Sequence, residues 1–244
     1  MKLLFSLIFL FTAFLSFAEQ KSINVVFVGN SITQGVIIEN PKHDAPPARA
    51  AENLRKHFHD LRYSNTGISG ATTVDYLPEN KTLFKNIIAG ADSVSEKPIV
   101  FSVMIGTNDS AENGPNGSPV SVENYKKNLH IILDTLLSRY KNSIVVLHRP
   151  IYYSENTYNG AMYLVKGLNR LKSYSAAIDQ LVAEGKGRIF LGDSDAFEYF
   201  EKNHKKKCFA ENGAAGTFYL HPNVDGAKKL GKFWSDAILR VINN

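Results

Sequence analysis

Apolar runs separated by stretches of helical periodicity do most to limit what this chain can fold into. Ile23 to Val28 reads Ile-Asn-Val-Val-Phe-Val and stops at Gly29. A nearly continuous apolar run of that length suits a strand covered on both faces, as in a parallel sheet. Lys97-Pro98 introduces a second run, Ile99 to Ile105. Ile144 to Leu147 makes a third, Arg188 to Leu191 a fourth, and Leu61 to Ser64 a more polar fifth candidate. Between them, apolar residues recur at spacings of three and four. Ala50, Ala51, Leu54 and Phe58 form one such stripe, and Val122 to Leu136 a second, with Ser121 as its cap. A third runs from Leu164 to Leu181 and stops at Gly185, and a fourth from Ala227 to Val241 has Asn223 as its cap. Such stripes are the buried faces of amphipathic helices. Strands alternating with helices predict an α/β fold with helices on both faces of a parallel sheet, and ligands then gather at the carboxyl ends of the strands. Ile37 to Pro47, Asn113 to Pro119 and Tyr152 to Asn159 read as loops.

Composition removes several classes of function. With 44% hydrophobic and 21% charged residues, the 244-residue chain is not disordered, and its length suits one large α/β domain. The lone Cys208 excludes an intramolecular disulfide framework and a Cys-based zinc cluster. A formal charge of +5 is too mild for a nucleic-acid footprint, and Lys205-Lys206-Lys207 reads as solvated surface. No His pair has the His-Glu-x-x-His metal spacing. The N-terminus is different in kind. Lys2 precedes an apolar run from Leu3 to Phe17, and Ser16 and Ala18 are small residues at the −3 and −1 positions of a cleavage site. Residues 1–18 therefore read as a secretory signal peptide cleaved after Ala18, because the run is short for a spanning helix. The expectation is a single domain over 19–244, secreted or periplasmic, without stable membrane insertion.

Four segments could carry chemistry. Gly29-Asn30-Ser31 places a hydroxyl just past the first strand, where Ser31 could equally be an ordinary helix cap. Asn65-Thr66-Gly67-Ile68-Ser69-Gly70 follows the weak strand and precedes a helical stretch, and Gly70 would let a main-chain N–H approach a ligand oxygen. Gly106-Thr107-Asn108-Asp109 ends the long strand with an amide donor, the kind of group that stabilises an oxyanion. His221-Pro222-Asn223 precedes the last helix.

Together and in this order, these segments resemble the four blocks of the SGNH, or GDSL-like, hydrolase superfamily. Asn30 stands where the first block usually has Asp. The resemblance implies a three-layer α/β/α fold with a flavodoxin-like five-stranded parallel sheet. It implies Ser31 as nucleophile and His221 as its base. The N–H groups of Ser31 and Gly70 and the Asn108 side chain would form the oxyanion hole, with no cofactor and no metal. One position departs from the pattern: the family's acid usually stands three residues before the histidine, and here that residue is Phe218. Asp193 and Asp195 are the first candidates for a displaced acid. Glu211, Asp225 and a backbone carbonyl also remain open, and a Ser–His dyad with a main-chain acceptor is the favoured expectation.

Within the superfamily, Gly-Asn-Ser, Gly-Ile-Ser-Gly-Ala-Thr-Thr and His-Pro-Asn are most similar to carbohydrate O-acetylesterases, such as sialate and xylan acetylesterases. The expected substrate is a small-molecule or oligosaccharide ester. Tyr152, Tyr153, Tyr158 and Tyr163 could stack on sugar rings or simply pack. The alternatives are a lysophospholipase or thioesterase, a sugar O-acyltransferase, and a binding module without catalysis.

Overall fold

The structure is a computed structural model and describes residues 22–80 and 82–243. The signal-peptide expectation over residues 1–18 lies outside the described residues. Five parallel strands form the sheet in the order β2-β1-β3-β4-β5. They are β1 (Asn24–Gly29), β2 (Tyr63–Asn65), β3 (Ile99–Met104), β4 (Ile144–Leu147) and β5 (Ile189–Leu191). Every residue of β1 and β3 is buried, which is why both read as apolar runs without alternation. β2 is an edge strand and only partly covered, and its sequence is correspondingly polar.

Among the described residues, eight α-helices accompany the sheet: α1 (Ser31–Gln34), α2 (Pro41–Asp44), α3 (Pro46–Leu54), α4 (Thr82–Asp92), α5 (Val122–Arg139), α6 (Leu164–Glu184), α7 (Ala196–Lys207) and α8 (Val224–Asn243). Successive strand side chains point to opposite faces. Phe27 and its register partner Ser102 face α8: Phe27 stacks on Trp234 at 5.8 Å, and Ser102 bonds His148, which itself lies against Trp234. The neighbouring Phe101 points the other way, onto Tyr140 at the end of α5. The sheet is thus the middle of three layers, with α3 packed on α8 and α5 on α6. Ser121 caps α5 through Asn124 N–H, and Asn223 Oδ1 accepts from Gly226 N–H at the start of α8, both as the sequence predicts.

Three elements depart from expectation. A turn of helix, α2, interrupts the loop expected over Ile37 to Pro47. Helix α7 has only two buried residues, Ala196 and Phe200, so its sequence carries no apolar stripe. A two-stranded antiparallel hairpin, β6 (Glu211–Gly213) with β7 (Gly216–Phe218), precedes the last helix. Among the described residues, no helix is long and apolar enough to cross a membrane.

The strand order decides where a ligand can sit. The chain runs from β1 outward to β2, then crosses to β3 on the other side of β1. Loops leaving the carboxyl ends of β1 and β3 therefore diverge and open a crevice between them.

Candidate active site

The crevice at that switch point holds all four sequence-predicted residues. Ser31, Gly70, Asn108 and His221 line one cleft of about 350 Å³, together with Ser69, Tyr163 and short loop residues. Among the described residues that line it, none is a carboxylate, lysine or arginine.

Ser31 gets its place from β1. The strand ends at Gly29, whose register partner is Met104 at the end of β3. A Cβ at Gly29 would collide with the Met104 carbonyl and the Thr33 side chain, so the sharp exit requires glycine. Asn30, not Ser31, is the N-cap of α1, and its Oδ1 accepts the Ile32 N–H at 3.1 Å. Ser31 is therefore the first helical residue. Its own N–H bonds to no group among the described residues and lies at the positive end of a short helix.

Gly70 belongs to a loop pinned to α1 from several sides. Ile68 N–H donates to Gly29 O, Ser69 N–H to Gln34 Oε1, and Asn65 Nδ2 to Thr33 O. The buried Tyr76 hydroxyl donates to Gly29 O and also lies within hydrogen-bond reach of Thr66 O. Gly70 itself has φ +78°, and a Cβ there would meet nothing within 4 Å. Glycine is needed for the backbone conformation rather than for space. Its N–H, like that of Ser31, donates no hydrogen bond among the described residues.

Asn108 follows β3 and is buried. Its Nδ2 donates to Ala71 O at 2.8 Å, and its Oδ1 accepts from the Tyr163 hydroxyl at 2.7 Å. The next residue, Asp109, ties the same two loops together, accepting from both the N–H and the hydroxyl of Thr73 on Oδ1. Burial raises the Asp109 carboxyl to about 6, against the opposing pull of the Thr73 bonds.

His221 Nε2 lies 2.9 Å from Ser31 Oγ. On the other side of the ring, Nδ1 lies 2.9 and 3.0 Å from the two carboxylate oxygens of Glu211. Glu211 Oε1 also accepts the His221 backbone N–H at 3.2 Å. A carboxylate can only accept, so Nδ1 carries the proton and Nε2 is free to accept from the Ser31 hydroxyl.

Glu211 replaces the main-chain acceptor that the sequence favoured. Asp193 and Asp195 do not approach His221. Asp193 accepts from Asp195 N–H at 3.2 Å and from Ala196 N–H at 3.1 Å, where it caps α7. The Asp195 carboxylate accepts from the neighbouring Ser194 hydroxyl, and Asp225 pairs with Lys207 at the surface. Burial raises Asp193 to about 6, opposed by its cap bonds.

The hairpin explains how the acid moved. Glu211 of β6 is the register partner of Phe218 of β7, so the two side chains share a face. The carboxylate comes from the strand beside the usual position, while Phe218 fills the core at 1% exposure. Beyond that pair, Cys208 bridges to Pro222. Two residues on one side therefore oppose three on the other, a bulge that turns His221 back over Glu211. The sequence carries only a partial signal for this. Gly213-Ala214-Ala215-Gly216 marks a turn, but Ala-Ala is not a favoured two-residue hairpin turn and Glu211-Asn212-Gly213 is not strand-forming, so the turn signal does not extend to the pairing of Glu211 and Phe218.

The tyrosines also sort themselves. Tyr152 and Tyr153 are buried in the core and have no face for a sugar. Tyr158 is half-buried, and only Tyr163 lines the cleft. Among the described residues, no group of three or more His, Cys, Asp or Glu could hold a metal ion.

At the switch point of a doubly covered parallel sheet, a Ser–His–carboxylate chain thus stands beside N–H groups that donate to nothing among the described residues. The profile described as the GDSL-like Lipase/Acylhydrolase family matches residues 27–229, and the chain belongs to that family. It is a carboxylic-ester hydrolase. Solved structures share the fold. An acetylxylan esterase from Geobacillus stearothermophilus is 20% identical with a TM-score of 0.60, over 90% of this chain and 93% of that one. A carbohydrate acetylesterase from Sinorhizobium meliloti is 16% identical with a TM-score of 0.62, over 90% and 100%. A lipase/acylhydrolase from Enterococcus faecalis is 18% identical with a TM-score of 0.59, over 88% and 94%. No curated protein sequence is significantly similar to the chain.

Proposed function

We propose that the protein removes acetyl groups from carbohydrates outside the cytoplasm, through a Ser31–His221–Glu211 triad. The observation that carries this is the unbroken hydrogen-bond chain from Glu211 through His221 to Ser31 Oγ, opening into a small cleft without carboxylate, lysine or arginine among its described lining residues.

Ser31 Oγ attacks the ester carbonyl carbon and passes its proton to His221 Nε2. A serine hydroxyl is a poor nucleophile without that base. Glu211 holds Nδ1–H and stabilises the imidazolium as it forms. The carbonyl oxygen becomes an oxyanion and meets the N–H groups of Ser31 and Gly70 and the second hydrogen of Asn108 Nδ2. Donors aimed at developing charge in a preformed site are worth about 10²–10³ in rate apiece. The sugar hydroxyl then leaves with the proton from His221, and water repeats the sequence to release acetate.

Two features support a short acyl group on a neutral polyol. The cleft is small and of mixed polarity, with Ser69, Asn159 and Gly160 beside Pro115, Ala161 and Leu220, and among the described residues no lysine or arginine lines it to bind a phosphate headgroup. A larger apolar cavity of about 540 Å³ exists, but Ile99, Ile144 and Ile23 place it at the amino end of the sheet. A six-residue strand separates it from Ser31, about 20 Å at 3.3 Å per residue. Dehydrating a long acyl chain gains about 0.8 kcal/mol per CH₂ only where apolar surface receives it.

The test compares p-nitrophenyl acetate with the octanoate, then acetylated xylose and sialic acid derivatives. Acetyl esters are hydrolysed faster, and Ser31→Ala and His221→Ala each abolish turnover with the fold retained. Faster octanoate hydrolysis would assign a lipase or thioesterase. Transfer of acetyl to an added sugar in preference to water would assign an acyltransferase. N-terminal sequencing of the exported protein is expected to begin at Glu19.

A further inference from the structure

We propose that Tyr163 is a positioning residue for ester hydrolysis: its hydroxyl donates to Asn108 Oδ1 and so holds the amide, whose direction the Ala71 carbonyl sets, in place as a donor to the oxyanion. The inference rests on the assignment of Asn108 to the oxyanion hole.

An asparagine amide can turn over and exchange its donor for its acceptor, and only its neighbours decide which orientation holds. Here the Ala71 carbonyl sets the direction, and the Tyr163 hydroxyl, able to donate or accept, adds the second bond that holds it. The Ala71 carbonyl can only accept, so the atom 2.8 Å from it is Nδ2. The other amide atom is then Oδ1, and the Tyr163 hydroxyl 2.7 Å away must donate to it. Both bonds are buried. One hydrogen of Nδ2 is used on Ala71, which leaves the second for the cleft that Asn108 lines beside Ser31 and Gly70. Turned over, the amide would put a carbonyl oxygen against the oxyanion and repel it.

The placement of Tyr163 is built rather than incidental. Its N–H donates to Thr157 O at 3.1 Å, and the following residue, Leu164, sits at φ +53°, an uncommon conformation for a branched side chain. That strained step starts α6 and holds Tyr163 against the Asn108 segment. The same helix braces the segment again, since Arg170 Nη1 donates to Ser110 O at 2.6 Å. Tyr153 supports the Tyr163 ring edge-on at 5.3 Å and bonds Ser110 Oγ. Burial raises the Tyr163 hydroxyl well above its usual range, so it remains a donor at any working pH.

The test is a double-mutant cycle on p-nitrophenyl acetate with Tyr163→Phe and Asn108→Ala, each checked by circular dichroism and thermal melting. Tyr163→Phe keeps the ring and removes the donor. The expected result is a loss of about 10- to 100-fold in kcat with KM changed less than about twofold, as for a group felt mainly in the transition state. In the Asn108→Ala background the same change costs less than about twofold, because there is no amide left to hold. A merely structural tyrosine would give losses that multiply. Multiplying losses, or an unchanged kcat for Tyr163→Phe, would overturn the proposal. If Tyr163→Phe does not fold, a fluorinated tyrosine at position 163 keeps the shape and donates more strongly. It must then change kcat in the Asn108 enzyme and not in Asn108→Ala, and an unchanged kcat in the Asn108 enzyme overturns the proposal. Failure of the parent assignment is separate: Asn108→Ala itself would then leave kcat intact.

Discussion

Replacing Glu211 by Gln removes one charge and little volume from the chain of groups behind Ser31. In the Michaelis complex the imidazole is neutral; during attack it becomes a cation beside the Glu211 carboxylate. The side chains of His221 and Glu211 are 8% and 17% exposed, so the pair is neither in water nor in a dry interior. At an effective dielectric of about 20 and about 4 Å between charge centres, the carboxylate stabilises that cation by about 4 kcal/mol. Losing it corresponds to about 10³ in kcat, since about 1.4 kcal/mol is tenfold. Geometry adds to the electrostatic loss. Both carboxylate oxygens lie within 3.0 Å of Nδ1, and Oε1 also accepts the backbone N–H of His221. An amide in the same position keeps its oxygen on the backbone donor and presents its NH₂ to Nδ1–H, donor against donor. The ring is thereby pressed toward the tautomer that cannot accept from Ser31, the error that costs about 10⁴ in kcat when the buried triad Asp of a serine protease is changed to Asn. The measurement is kcat and KM on p-nitrophenyl acetate at neutral pH, beside a thermal melt. We expect kcat to fall by at least 10²-fold with KM nearly unchanged. A folded Glu211→Gln enzyme that loses less than about tenfold would refute the triad and restore the dyad.

Other groups of the molecule give further expected outcomes. Asn108→Ala should lower kcat about 10²-fold while KM hardly moves, and a change confined to KM would make Asn108 a substrate-binding residue instead. Asp193→Asn should keep kcat within about threefold and cost about 1 kcal/mol in urea unfolding, since one of two cap acceptors on α7 is lost; a large kcat loss would return Asp193 to the active site. Asp109 titrates near 6 in the folded protein, against about 3.9 when unfolded, so the folded state holds a proton that the unfolded state releases. Its contribution is full below about pH 4 and is lost as pH rises through 6, up to about 3 kcal/mol in all. The stability of Asp109→Asn relative to wild type should therefore improve by up to that amount between pH 4 and pH 7, and a difference independent of pH would show that Asp109 is not desolvated.

What the chain determined locally, it displayed locally. The runs Ile23 to Val28 and Ile99 to Ile105 are apolar throughout because β1 and β3 are covered on both faces, and they lie within one residue of the observed strands. Ser31, Gly70, Asn108 and His221 each follow a strand or precede a helix within a few residues, so their arrival at one rim follows from the parallel topology. Helix α7 was hidden for the converse reason: it buries only Ala196 and Phe200, and periodicity needs a wider buried face to be read. Tertiary structure alone decided the partners of the reactive groups. Glu211 stands ten residues from His221 and reaches it only because a hairpin pairs it with Phe218 and a bulge turns the histidine back. Tyr163 is 55 residues from Asn108, on the far side of one helix and one strand in the chain, yet the two share a hydrogen bond. Of four tyrosines equally suited by composition to stack on a sugar, two are sealed in the core and only Tyr163 lines the cleft. Strand and helix periodicity arises from contacts each residue makes with a whole layer, which a residue's own type records. A single side chain's partner depends on the path of the intervening loops, and no local pattern records that path.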